Sequence, residues 1–263
     1  MKVEQIYTGC LAQGAYYVVS KNEAFIIDPL REIQPYLDRI EADGVTLKYI
    51  FETHFHADFV SGHLDLSKQT GAPIVYGPTA NPAFEAIIAT DGQVFEIGDI
   101  KIKVLHTPGH TMESSTFLLI NADGKEEAIF SGDTLFLGDV GRPDLAVKSD
   151  ITMDDLAGML YESLHTKIMT LADDVIVYPA HGAGSACGKN LSSETFDTLG
   201  NQKQFNYALQ AMTKEEFIEK VTDGLTAPPQ YFPENVMLNK KGYASIDSII
   251  EQGVKGLSAC LLY

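Results

Sequence analysis

Four times along this chain a run of β-forming residues breaks off into a short polar segment that carries histidine or aspartate. Leu47 to Glu52 runs into Thr53-His54-Phe55-His56-Ala57-Asp58, and Lys101 to Leu105 runs into His106-Thr107-Pro108-Gly109-His110-Thr111. Ala128 to Phe130 is followed by Ser131-Gly132-Asp133, and Val175 to Tyr178 by Pro179-Ala180-His181-Gly182. Loops on one edge of a rigid sheet are the usual place for function. Histidine and carboxylate side chains are the ligands that suit zinc or ferrous iron. A single His-x-His is a weak signal, and Pro, Gly and Asp favour turns of any kind. The appearance of Asp58, His110, Asp133 and His181 at the ends of separate strands is hard to explain by packing. A metal centre assembled from these loops is the expectation. His63, His106 and His165 fall outside the pattern. His106 reads as a strand-end group, and His165 as the end of a helix, where positive charge is welcome.

The rest of the chain alternates strand, loop and helix. Tyr16 to Val19 and Ala24 to Ile27 read as strands around Ser20-Lys21-Asn22, and Asp28-Pro29 then breaks the pattern. Ile33, Tyr36, Leu37 and Ile40 have helical spacing that Asp43-Gly44 ends. Leu64 to Gln69 reads as a helix closed by Gly71, and Ile74 to Tyr76 as a strand. Ile100, Ile102 and Val104 alternate with lysines, as in a half-buried strand. Thr116 to Ile120 pairs with Ala128 to Phe130 across the turn Asp123-Gly124. Leu156, Met159, Leu160, Leu164 and Ile168 form a helical stripe, and Thr213-x-x-Glu216 reads as a capping box. The prolines and aromatics from Leu225 to Asn239 suggest an ordered segment that wraps the body, and Ser245 to Gln252 reads as a short closing helix. No repeat is visible. The expectation is one α/β domain over residues 1–263, built of sheet layers covered by helices, with 201–263 as a C-terminal wrapping segment.

Composition narrows the function classes. Hydrophobic residues make up 45% of the 263, enough for a sizeable core. A formal net charge of −17 repels nucleic acid and anionic membranes, so neither is expected as a partner. No apolar run approaches the roughly 20 residues needed to span a bilayer, and the first residues hold no apolar signal region. Cys10, Cys187 and Cys260 are odd in number and widely spaced. That argues against a disulfide framework and for a reducing, cytoplasmic setting.

The segment Thr-His-Phe-His-Ala-Asp at 53–58, with His110, Asp133 and His181 behind it, resembles the motif set of the metallo-β-lactamase superfamily. The resemblance covers nearly the whole chain and implies a four-layer αββα sandwich with a metal at one sheet edge. Further stretches are similar to the persulfide dioxygenases, relatives of glyoxalase II: Pro108 to Thr111, Ser131 to Leu135, Gly141-Arg142-Pro143-Asp144 and Tyr178 to His181. This likeness implies one ferrous iron per chain, Fe(2+), held by His54, His110 and Asp133, with Zn(2+) acceptable in purified protein. It places His56, Asp58 and His181 behind these ligands, where they would orient water or ligands. Arg142 matches an arginine at the substrate pocket of that family. The alternative for Arg142 is an ion pair with Asp144. Asn190 to Glu194 and Leu225 to Asn239 resemble the bacterial subgroup in which a rhodanese domain follows; the sequence to Tyr263 is expected to hold no rhodanese domain, as either a short form or a truncated one.

One departure matters. The superfamily usually has histidine directly after the motif aspartate, and here that residue is Phe59. A phenyl ring cannot bind a metal, which favours one metal over two. The resemblance then implies, as the leading expectation, oxidation of a low-molecular-weight persulfide, such as glutathione persulfide, by O2 to sulfite and thiol, in sulfide detoxification. The resemblance admits a homodimer and a separate rhodanese sulfurtransferase as partners. Cys187, just beyond the His181 loop, either handles sulfur or is a buried structural thiol. The rivals are a glyoxalase II-like dinuclear hydrolase of glutathione thioesters and a non-catalytic protein that binds a sulfur carrier.

Overall fold

A computed structural model gives the architecture and describes residues 1–147, 149–189 and 191–244. The first sheet takes β1 (Lys2–Thr8), β2 (Gln13–Ser20), β3 (Glu23–Ile27), β4 (Thr46–Glu52), β5 (Ile74–Tyr76) and β6 (Ile87–Ile88) in chain order. Helices α1 (Gln34–Asp43) and α2 (His63–Thr70) lie between its parallel strands. The second sheet contains β7 (Val94–Ile97), β8 (Ile100–His106), β9 (Ser115–Ile120), β10 (Glu126–Gly132), β11 (Ile176–Pro179) and β12 (Asp197–Thr198), again in chain order. Between β10 and its parallel neighbour β11 runs α3 (Met153–Ser163), continued by a π-helical turn over Leu164–Ile168. After β12 come α4 (Leu199–Phe205), α5 (Lys214–Thr222) and α6 (Phe232–Lys241).

Two-residue alternation explains the layering. In β2 and β3, Tyr16, Val18, Phe25 and Ile27 point into a shared core with Ile102, Val104, Phe117 and Phe130 of the other sheet. Their chain neighbours Ala15, Tyr17, Ala24 and Ile26 face the opposite way, onto Tyr36 of α1 and Leu66 of α2. The outer face of the second sheet does the same: Leu118, Ile129 and Val177 pack on Leu160 of α3 and on Phe217 and Val221 of α5. Strands buried on both faces read as continuous apolar runs, which is why Ala24 to Ile27 and Ala128 to Phe130 show no polar alternation. The result is the four-layer αββα sandwich. Fully burying each large apolar side chain stabilises it by about 1.5–3 kcal/mol.

Most sequence expectations have a counterpart at nearly the expected bounds, including the capping box at Thr213 and Glu216. β1, which pairs along its length with β2, was not anticipated, because its sequence does not alternate cleanly. The stripe from Leu156 to Ile168 is real, but its last turn widens to π geometry and keeps Leu164 and Ile168 buried. The helix expected over Ser245 to Gln252 lies outside the described residues. Among them no helix is long and apolar enough to cross a membrane. Cys10 is disulfide-bonded, against the expectation of reduced thiols, while Cys187 is free and buried.

Candidate metal centre

The four polar loops meet at one edge of the sandwich. Gly132 shows why they can. It takes φ +53°, and a Cβ there would stand 2.7 Å from the Thr53 side chain, so only glycine brings the end of β10 against the end of β4. Gly109, at φ +145°, lies so close to α3 that a Cβ would meet Leu160 at 2.4 Å. The His181 loop is tied to the first sheet: the amide of Gly14 donates to the carbonyl of Ala180 at 2.8 Å and that of Gly182 to Ala12 at 2.8 Å.

Each histidine of the expected triad is held from behind. Asp28, at φ +49°, accepts from the Thr53 amide and from Thr53 Oγ1, both at 2.8 Å. Having donated its proton, Thr53 Oγ1 accepts from His54 Nδ1 at 3.0 Å. His110 Nδ1 donates to the main-chain carbonyl of Arg142 at 2.9 Å. In both rings the Nε2 lone pair is therefore free, and both point at Asp133. Asp133 Oδ2 lies 3.4 Å from His110 Nε2 and 3.9 Å from His54 Nε2. It is buried and has no hydrogen-bond partner. Ligands about 2.1 Å from one ion sit roughly 3–3.5 Å apart. An orphaned carboxylate oxygen faced by two imidazole lone pairs fits a bound cation and is costly without one. His54, His110 and Asp133 thus form a group able to hold a metal ion.

Asp133 Oδ1 is used otherwise. It meets His181 Nδ1 at 2.8 Å, and His181 Nε2 meets Asp58 Oδ2 at 2.8 Å. Burial disfavours a charged ring at His181, but the carboxylates of Asp133 and Asp58 outweigh it and raise its pKa well above the ordinary value. Burial alone would raise Asp133 as well. The charge and hydrogen bond of His181, helped by His54 and His110, hold it far below the usual carboxylate range. Burial, then neighbouring His56, lowers His54 well below an ordinary imidazole and keeps it neutral for metal binding.

The remaining expected residues fall in three places. Asp58, His181 and Cys187 form a second group able to hold a metal, and the Asp58 Oδ1 atom is unpartnered. Burial, then the charges of Asp58 and Asp133, push the Cys187 thiol up. His56 turns inward: its Nε2 is 3.1 Å from Asp28 and 3.7 Å from Glu52, and its ring lies 4.4 Å from Phe59. Arg142 does not line the cleft. Its Nε and one terminal nitrogen each donate to Asp144 at 2.7 Å, and other donors reach the carbonyls of Ala186 and Thr226. The ion pair with Asp144, the alternative the sequence offered, is made.

Sequence reasoning missed several contributors. Asp28 was read only as a strand breaker. Asn235 and Asn239 of α6 clamp the histidine loop: Asn235 Nδ2 donates to the Ala57 carbonyl at 3.0 Å, and Asn239 Nδ2 to those of His56 and Phe59, both at 2.8 Å. Asn239 Oδ1 accepts from the Ser61 amide at 2.8 Å. Two asparagines four apart lie on one helix face, and that spacing was the available signal. Beside the centre opens a cleft walled by Phe55, His110, Leu145, Val236, Glu113 and Lys240.

Comparison with known proteins agrees with this geometry. The solved metallo-beta-lactamase of Staphylococcus aureus superposes with a TM-score of 0.86 at 34% identity, covering 93% of this chain and 73% of that one. The ETHE1 structure from Myxococcus xanthus gives 0.77 at 27% identity, covering 91% and 98%. A hydroxyacylglutathione hydrolase of Francisella philomiragia is 33% identical over 193 residues, 73% of this chain and 70% of its own length. The metallo-beta-lactamase superfamily model matches residues 8–181, a span that begins at the end of β1 and closes on His181 itself. All four loops of the centre lie inside that match, and the chain belongs to the metallo-β-lactamase superfamily.

Proposed function

We propose that this chain is a persulfide dioxygenase holding one ferrous iron on His54, His110 and Asp133. The observation that carries the reading is the ligand face: two imidazole nitrogens and one carboxylate oxygen converge, while Phe59 stands where a dinuclear centre would have another imidazole. When bound, ferrous iron on such a face supplies open positions where O2 and a persulfide sulfur can meet. The overall change is RS–SH + O2 + H2O giving RSH, sulfite and two protons. Thr53 and the Arg142 carbonyl keep the imidazoles in the tautomer that binds metal. His181 reserves Asp133 Oδ1 and leaves Oδ2 for the ion. It also holds a proton at Nε2 beside Asp58, close to where product thiolate must be protonated. The apolar walls Phe55, Leu145 and Val236 admit an uncharged sulfur chain and keep water out.

A second reading has support of its own: a hydrolase that cuts a glutathione thioester with water activated between two metals. The named hydrolase relatives favour it, and so does the Asp58, His181 and Cys187 group, which offers a cysteine sulfur in place of the missing imidazole. Metal content per chain, on protein purified without oxygen, separates the two together with an oxygen electrode and glutathione persulfide. Near one iron per chain, with oxygen uptake abolished by His110→Ala, is the expected result. Two zinc ions per chain, no oxygen uptake and thioester cleavage would overturn it.

A further inference from the structure

We propose that Lys240 fixes the anionic end of the substrate. The inference rests on the reading above, in which the cleft takes a thiol carrier bearing a carboxylate. An acidic chain of net charge −17 repels such a carrier over most of its surface, so binding needs a cation placed locally. Arg142 cannot move into the cleft without abandoning its two-point pairing with Asp144, and its side chain is almost fully buried.

Lys240 meets the need on four counts. It lines the same cleft as His110, whose Nε2 faces the metal position. Its Nζ stands 5.9 Å from the ring of Phe55, another wall of that cleft. Among the described residues no carboxylate lies within ion-pair distance of it. Its backbone is fixed relative to the metal: the Lys240 carbonyl accepts from the Ala83 amide at 2.8 Å, and the preceding residue, Asn239, is bonded to the carbonyls of His56 and Phe59. An ammonium on a four-carbon stem can then swing to a carboxylate without moving the helix.

Glu113 sharpens the selectivity. It lines the cleft with Lys240, and its Oε1 is tied to the Phe55 amide at 3.2 Å. One cation and one anion suit a carrier end with a carboxylate beside an ammonium. A carrier with several phosphates would meet Glu113 unfavourably.

The test uses S-methylglutathione, which neither a dioxygenase nor a thioester hydrolase turns over. Its binding to iron-loaded protein is measured by calorimetry, beside that of its carboxylate ester. Lys240→Met is expected to weaken binding of the acid about 10- to 100-fold, the scale of a charge-assisted hydrogen bond, and to leave the ester unaffected. Lys240→Arg should keep most of the affinity. With glutathione persulfide the same Lys240→Met change should raise KM and spare kcat. Equal affinity of Lys240→Met and wild type for the acid would overturn the proposal, and so would equal losses for acid and ester. Failure of the wild type to bind the acid at all would also overturn it. Oxygen uptake with an uncharged persulfide would then still uphold the dioxygenase reading, so the two failures are distinguishable.

Discussion

Asn239→Ala should loosen the metal loop from a distance. Asn239 is 1% exposed and makes three hydrogen bonds, to the carbonyls of His56 and Phe59 and from the amide of Ser61. Each is worth about 1 kcal/mol net, and a buried partner left without water costs about 1–3 kcal/mol. Water entering the space left by the side chain would hold the loss near the lower bound, about 3 kcal/mol in all. For a chain of this size that corresponds to a fall in Tm of roughly 6–12 °C. Thermal unfolding reads the global part, and competition with a chelator reads the local part, since His54 and His56 lie on the loop that is released. Asn239→Asp is a useful companion. It keeps an acceptor for Ser61 but turns an oxygen onto two carbonyls, so it should be at least as damaging as alanine. A Tm within about 2 °C of wild type, with unchanged metal affinity, would refute the idea that α6 holds the loop. An aspartate variant more stable than the alanine variant would refute the assigned donor roles.

Two other outcomes follow from the same geometry. Phe59→His restores an imidazole next to Asp58 and is expected to raise metal content from near one ion per chain towards two, read by elemental analysis; unchanged stoichiometry would mean that position 59 does not face the second group. Burial, then the charges of His56 and Arg31, lower the His63 pKa to about 3. The folded value is thus below the unfolded value of about 6.5, so as pH falls through that window the unfolded chain takes a proton that the folded chain refuses, and stability is lost. His63→Phe, which keeps the ring contacts with Phe84 and Tyr243, should make the loss of stability between about pH 6 and pH 4 shallower in denaturant titrations; identical acid limbs would contradict this.

Much of the centre was legible because its ligands are local. His54, His56 and Asp58 sit within one short segment, and His110, Asp133 and His181 each follow an apolar run that announces a strand. Residues that act through partners were harder to read. Arg142 has the same sequence context whether it faces the cleft or Asp144, and only the observed pairing decides. His56 belongs to the motif, yet its ring turns to Asp28, 28 positions back, as well as to nearby Glu52.

By itself the sequence determined the layered α/β class, the strand ends that carry the ligands, and the absence of an imidazole at position 59. Period-two and period-3.6 patterns and turn residues are properties of neighbouring positions, and the chain displays them directly. Only the tertiary structure decided which oxygen of Asp133 is free, that His181 spans two carboxylates, that Asn239 secures the loop from the far end of the chain, and that Lys240 rather than Arg142 lines the cleft. Those facts depend on contacts between residues tens to nearly two hundred positions apart, whose distances are set by the packing of two sheets and leave no local pattern.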